Sequence, residues 1–259
     1  MAELNGRPVH PDALAALALT NYGHFTSMRC DNGRIRGLQL HMERLVRDCR
    51  EVFGAELDVD RVREYVRQGA QNRQGSFVIR VTIFDPDLQM GHPGAEAHPQ
   101  ILVTVRSAGE FPAPPMTVRT QTFTRDTAQV KHMGLFPQLK ARREAQLAGS
   151  DDALFADADG VISEGGTWNV GFVDQDGAVI WPEGPVLPGV TMKLLQNAHP
   201  YRTQQVTLND LSQMRAAFAT NTSIGVRPIT AIDDRTFPAD DPTLDKLRSL
   251  YADIAGDEL

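Results

Sequence analysis

Phe111-Pro112-Ala113-Pro114-Pro115 lies near the middle of the chain, and a segment this rich in proline cannot continue a helix or a central strand. The residues before and after it must therefore build separate secondary structure. At 259 residues the chain exceeds the usual size of one domain. The break predicts a smaller N-terminal α/β domain over 1–110, a linker over 111–118 and a larger C-terminal domain over 119–259.

Each part has its own pattern. In the first, Asn32-Gly33 inside Arg29–Leu38 signals a hairpin. His41–Phe53 reads as a helix with Met42, Leu45, Val46 and Cys49 as its apolar stripe, and Val59–Gln68 as a second helix. Phe77–Phe84 and Ile101–Val105 are β-branched strands, with Asp85–Pro99 as a loop between them. In the second part, extended Met116–Phe123 leads toward a helix over Pro137–Leu147. Asp159-Gly160 and Asp176-Gly177 then turn successive strands. A short helix from Thr191, a strand around Ala216–Ala219 and a last helix near Thr243–Ala255 complete a mixed α and β chain.

Charge excludes one class of partner. The net charge is -7, from 33 acidic against 26 basic residues, which disfavours nucleic acid. No apolar run is long enough to span a bilayer, and Ala13–Leu19 has no positively charged lead, so no signal peptide is expected. Cys30 and Cys49 read as free thiols of a reducing cytoplasm. The seven histidines show no metal-ligand spacing. A cytoplasmic protein that handles small molecules is the expectation.

Val130–Phe172, VKHMGLFPQLKARREAQLAGSDDALFADADGVISEGGTWNVGF, carries the chemistry. A lysine ending an extended segment precedes a helix, a hairpin and a glutamate before Gly-Gly-Thr-Trp-Asn. This stretch resembles the class IV aminotransferases, the fold-type IV pyridoxal-phosphate (PLP) enzymes. The matching positions are Lys131, Arg142 or Arg143 with Glu144-Ala145, Gly149, Asp151, Leu154, Asp159-Gly160, Glu164 and Asn169. The resemblance implies an α/β (α+β) fold with a barrel-like, PLP-binding C-terminal domain, and homodimers. It also implies PLP held as a Schiff base on Lys131, with Glu164 at the pyridine nitrogen and Asn169 among the cofactor residues. Each role has a chemical reason. A deprotonated lysine is a nucleophile, and once displaced by a substrate amine it can act as general base and acid. PLP is an electron sink only while its ring nitrogen stays protonated, which calls for a carboxylate.

The phosphate needs a cation and backbone donors. His41-Met42-Glu43-Arg44-Leu45 resembles the family's His-x-x-Arg-Leu and assigns Arg44. Leu187-Pro188-Gly189-Val190-Thr191 resembles its Leu-Pro-Gly-Ile-Thr turn and offers the amides of Val190 and Thr191. Thr220-Asn221-Thr222-Ser223 carries over Thr222.

The reaction stays open at this stage. Branched-chain, D-amino-acid and (R)-amine transaminases share the scaffold with 4-amino-4-deoxychorismate lyase. Tyr22-Gly23-His24-Phe25-Thr26-Ser27 is shorter than the family's usual segment and has Thr26 where an acid is common. That feature, with Lys131-His132 and Thr220-Asn221, resembles the lyase, whereas Phe136 replaces the tyrosine usual in branched-chain enzymes. Transamination between an amino donor and a keto acid is adopted as the commoner chemistry on the scaffold. The alternatives are the lyase, releasing pyruvate and p-aminobenzoate, and a catalytically degenerate PLP-binding protein. A substrate carboxylate calls for an arginine, with Arg29 and Arg227 as candidates, and Tyr22, His24, Thr26 and Trp168 as candidate lining.

Overall fold

The computed structural model describes Met1–Leu259 as two compact units. The first comprises Met1–Ala108, Val130–Gly134 and Gly256–Leu259, and the second Gly109–Gln129 and Leu135–Ala255.

The first unit runs β1 (Ala2–Leu4), β2 (Arg7–Pro8), α1 (Pro11–Thr20), β3 (His24–Asp31), β4 (Arg34–Ile35), α2 (Leu38–Phe53), α3 (Val59–Ala70), β5 (Ser76–Phe84) and β6 (Gln100–Ser107). β3 pairs antiparallel with β5 from His24↔Ile83 to Asp31↔Ser76, and β5 pairs antiparallel with β6. Side chains alternate along each strand. Met28, Cys30, Ile79, Val81, Ile83 and Val103 therefore pack on Met42, Leu45 and Cys49 of α2 and on Val62 and Val66 of α3. Burying each large apolar side chain there contributes about 1.5–3 kcal/mol. Phe25, Ser27, Arg80 and Thr82, one residue out of phase, take the other face.

The Asn32-Gly33 hairpin forms as expected, both residues left-handed (φ 51° and 78°) and Cys30 opposite Ile35. Two features differ from the sequence expectation. α2 begins at Leu38, three residues before His41, because the Leu38 N–H finds the Asp257 carboxylate at 3.1 Å. Its buried stripe is His41, Met42, Arg44, Leu45, Asp48 and Cys49, while Val46 is only half-buried. Val46 steps off the stripe at about 100° per residue, and polar Arg44 and Asp48 occupy it instead. Pro11–Thr20, an apolar run without a dominant face, folds as α1 with no buried residue.

The second unit runs β7 (Met116–Thr122), α4 (Phe136–Leu147), β8 (Asp152–Ala156), β9 (Ile162–Gly165), β10 (Asn169–Asp174), β11 (Val179–Pro182), α5 (Val190–Ala198), β12 (Tyr201–Gln204), β13 (Met214–Asn221), β14 (Gly225–Ile232), β15 (Arg235–Thr236) and α6 (Pro242–Asp253). Strands pair in the order β10-β13-β14-β7-β8-β9, and Asn169↔Glu164 joins β9 back to β10. The ring closes as a six-stranded barrel, leaving none of those strands as a free edge. Period-two alternation again divides the side chains. Ala217 and Ala219 of β13 join Met116, Val118, Leu154, Val170 and Phe172 in one cluster. Ala216 and Phe218, which alternate with them along the strand, face Trp181, Leu195, Leu244 and Leu247. Phe218 meets Trp181 edge-on at 5.2 Å, and α5 and α6 cover this side of the barrel. After α6 the chain adds β16 (Asp257–Glu258) to β4 of the first unit. No helix is long and apolar enough to cross a membrane.

α6 yields a stability prediction. Asp241 caps it, accepting from Thr243 N–H at 2.8 Å, and pairs with Arg215 at 2.6 Å. Burial alone raises its pKa, but the Arg215 and Thr243 hydrogen bonds outweigh burial and hold it below the usual value. The folded state therefore gains stability from ionised Asp241 above the ordinary aspartate range, and loses it as pH falls through the depressed value. Asp241→Ala should cost about 1–3 kcal/mol at neutral pH. Denaturant melts at falling pH should show the gap from wild type narrowing below about pH 4.

Candidate active site

The chain has four lysines, Lys131, Lys140, Lys193 and Lys246, of which Lys140 and Lys246 are exposed. Lys131 lies in the segment Val130–Gly134 of the first unit. Phe25 N–H donates to the Lys131 carbonyl at 2.9 Å, Met133 N–H to the Gly23 carbonyl at 2.9 Å, and His132 bridges His24. The Lys131 N–H donates to the Asp48 carboxylate at 2.9 Å, and its Nζ sits 4.9 Å from the centre of the Phe25 ring. Arg80 stacks on the same ring at 3.6 Å.

Around these residues the first unit gathers buried polar groups. Arg44 is 6% exposed. His41, one turn before it, bonds the Thr26 hydroxyl through Nδ1 at 2.6 Å. Burial first, and then the charges of Arg44 and Lys131, hold His41 well below its ordinary pKa, so the ring is neutral at pH 7. His24 is fully buried, and burial, then Arg47, lowers it to about 3. Of the other substrate candidates here, Tyr22 donates its hydroxyl to the Val52 carbonyl, and Arg29 is ion-paired with Asp31 at 2.9 Å.

In the second unit, the five-residue spacing of Glu164 and Asn169 has a simple cause. They are cross-strand partners in the tight β9–β10 hairpin, which Gly165 N–H closes on the Trp168 carbonyl. The pair grips Leu187 from both sides. Glu164 accepts its N–H at 3.1 Å, and the Asn169 side-chain amide donates to its carbonyl at 2.8 Å. A Cβ at Gly189 would lie 2.0 Å from the Asn169 side-chain oxygen, so only glycine lets this turn close. α5 starts immediately afterwards, with Val190 and Thr191 as its first two residues and no side chain capping it. Glu164 also forms a buried ion pair with Arg125 at 3.1 Å.

Two hydroxyls in this unit, Thr191 and Thr220, are almost fully buried and have no hydrogen-bond partner. Thr220 stands opposite Asn169 in the sheet. Thr222 follows in a turn where Asn221 accepts the amides of Ser223 and Ile224. Trp168 donates to Asp152 at 2.9 Å, and Arg227 binds the carbonyls of Pro114 and Pro115.

Each unit carries groups of the kind a phosphorylated pyridine aldehyde requires. In the second, the idle Thr191 hydroxyl at an uncapped helix start suits a phosphate and a buried ion-paired carboxylate suits a ring nitrogen; in the first, a lysine suits an aldehyde. Orphaned buried hydroxyls are costly unless something binds them.

The sequence family described as amino-transferase class IV matches residues 23–232. The chain is a class IV aminotransferase. Membership brings PLP as its cofactor. A branched-chain-amino-acid aminotransferase of Pseudomonas aeruginosa is 26% identical over 239 residues, covering 84% of this chain and 77% of that protein. The branched-chain aminotransferase of Thermoproteus uzoniensis, solved with norvaline, superposes with a TM-score of 0.86 at 20% identity, over 97% of this chain and 93% of that one. A hypothetical aminotransferase from Mycobacterium tuberculosis in its PLP-bound form gives 0.83 at 17% identity, over 97% of both chains. The fold of this class IV aminotransferase is therefore the mixed α/β fold with a barrel that its motifs implied.

Several charged residues near these groups carry no motif in the sequence. Arg80 is the one charge inside FVIRVTIF, and an arginine at the centre of an otherwise buried strand is a signal that could have found it. Asp48 stands on the stripe of α2 where an apolar residue is expected. Arg125 carried no motif, and only the Glu164 contact reveals it.

Proposed function

We propose that this class IV aminotransferase moves an amino group between an α-amino acid and a 2-oxo acid. In this reading Lys131 carries PLP, Glu164 partners the pyridine nitrogen, and Arg44, the Val190 and Thr191 amides and Thr222 hold the phosphate. Bound PLP supplies an electron sink for the substrate Cα–H bond. The protein supplies the rest. The Lys131 amine would take the substrate α-proton and return it. Glu164 presents a fixed negative charge to the ring nitrogen, and Asn169 braces the turn that leads into α5. The observation that carries the reading is the Glu164–Asn169 grip on Leu187, which ties the carboxylate to a helix start with idle donors.

A visible absorption band that fades on adding an amino acid and returns with a 2-oxo acid is the expected result. Sustained release of pyruvate from aminodeoxychorismate with no amino acceptor would replace this reading with the lyase. Relatives named for branched-chain amino acids make those the first donors to try.

Arg80 is the better supported carboxylate receptor, since Arg29 is neutralised by Asp31 and Arg227 binds backbone carbonyls. Arg80 contacts the Thr82 hydroxyl and the Phe25 ring, and burial, then Arg106, lowers its pKa. A cation so placed favours an anionic ligand. Arg80→Met should raise KM for the amino acid about 10-fold with kcat nearly unchanged. An amine without a carboxylate should be turned over equally by both proteins. Unchanged KM for the amino acid would remove Arg80 from the substrate site. The exposed apolar face of α4, with Phe136 74%, Leu139 50% and Leu147 71% exposed, supports the homodimer as part of this proposal.

A further inference from the structure

Asp48 is a carboxylate at 0% exposure, and none of the roles above uses it. One oxygen accepts Arg47 Nε at 2.9 Å and Nη2 at 2.6 Å, and the other accepts the Lys131 N–H at 2.9 Å. Since Phe25 N–H binds the Lys131 carbonyl, both backbone polar groups of Lys131 are tied within the first unit. One tie is to a strand, the other to a side chain. Val130–Gly134 has no ladder of its own there, only the single His24↔His132 bridge, so a further anchor decides where residue 131 lies.

Asp48 stands one helical turn after Arg44 on the buried stripe of α2. A regular helix is a stiff spacer of about 1.5 Å rise per residue. α2 thus carries Arg44 and the anchor of Lys131 on one rigid element. We propose that Asp48 is a positioning residue, its carboxylate setting the Lys131 backbone in register with α2 so that the amine is placed for proton transfer. A carboxylate is suited to the task because it is a stronger acceptor than an amide, and Arg47 offsets its buried charge. The proposal rests on Lys131 being the cofactor-bearing lysine.

The test uses the holoenzyme and compares Asp48→Ala, Asp48→Asn and Asp48→Glu. In Asp48→Ala the Lys131 amide should exchange with solvent at least about 10-fold faster, and kcat should fall about 10-fold at nearly constant KM. Asparagine retains an acceptor oxygen and should restore most of both. Should the alanine variant fail to fold, Asp48→Glu keeps the charge, displaces the anchor by one methylene and should lower kcat alone. A folded alanine or glutamate variant with wild-type kcat overturns the proposal, as does asparagine performing no better than alanine. Borohydride trapping of the cofactor on Lys131 separates the two levels. Trapping on another lysine overturns the proposal together with the reading beneath it, whereas trapping on Lys131 with unchanged kcat in the variants overturns the proposal alone.

Discussion

Replacing Lys131 with alanine is expected to lower kcat by at least about 10³-fold and to abolish the visible band that responds to amino donors. On the proposed reading two functions leave with the amine: the nucleophile that holds the cofactor aldehyde, and the base that carries the α-proton. Lys193, Lys140 and Lys246 sit on other elements and have none of the contacts that place Lys131. The fold should survive, because the Lys131 backbone bonds to Phe25 and Asp48 do not involve its side chain. Addition of a small exogenous amine should recover part of the rate. A variant with full activity would remove Lys131 from the chemistry.

Glu164→Gln is the second large effect, a fall in kcat of about 10²-fold. Glutamine keeps an oxygen for the Leu187 N–H but loses the charge that the proposed role offers to the ring nitrogen. It also leaves the Arg125 guanidinium facing a neutral amide, in a place where the two side chains are 9% and 5% exposed. Breaking a buried ion pair from one side costs about 3–5 kcal/mol, so the melting temperature should fall too. Glu164→Asp separates the two consequences. It retains charge with a shorter reach, and should recover stability better than rate. Equal kcat in wild type and Glu164→Gln would exclude Glu164 as the nitrogen's partner.

Much of the architecture was legible because local signals agreed with tertiary packing. The hairpin at Asn32-Gly33, the β-branched strand Ser76–Phe84 and the helix Phe136–Leu147, with Pro137 in its first turn and Gly149 just past its end, each carry a local signal that agrees with the fold. α1 was not legible, since its apolar residues favour no face and none is buried. β12 and β16 are short and pair with strands that do not directly adjoin them in the chain, and β15 is only two residues long, so none leaves a mark in the local sequence. The same division holds at the candidate site. The five-residue spacing of Glu164 and Asn169 was readable because a tight hairpin makes them cross-strand partners. Arg80, Arg125 and Asp48 were not, because their partners Phe25, Glu164 and Lys131 lie 55, 39 and 83 residues away. Val46 misled in the opposite sense: an apolar residue beside a stripe is not part of it.

The central claim is that Lys131 bears the cofactor, and one measurement addresses it most directly. The holoenzyme is reduced with borohydride, digested, and the modified peptide identified by mass spectrometry. A single cofactor-bearing peptide containing Lys131 is expected, and it should disappear when an amino donor is added before reduction. Modification of Lys140, Lys193 or Lys246 in place of Lys131 would contradict that claim.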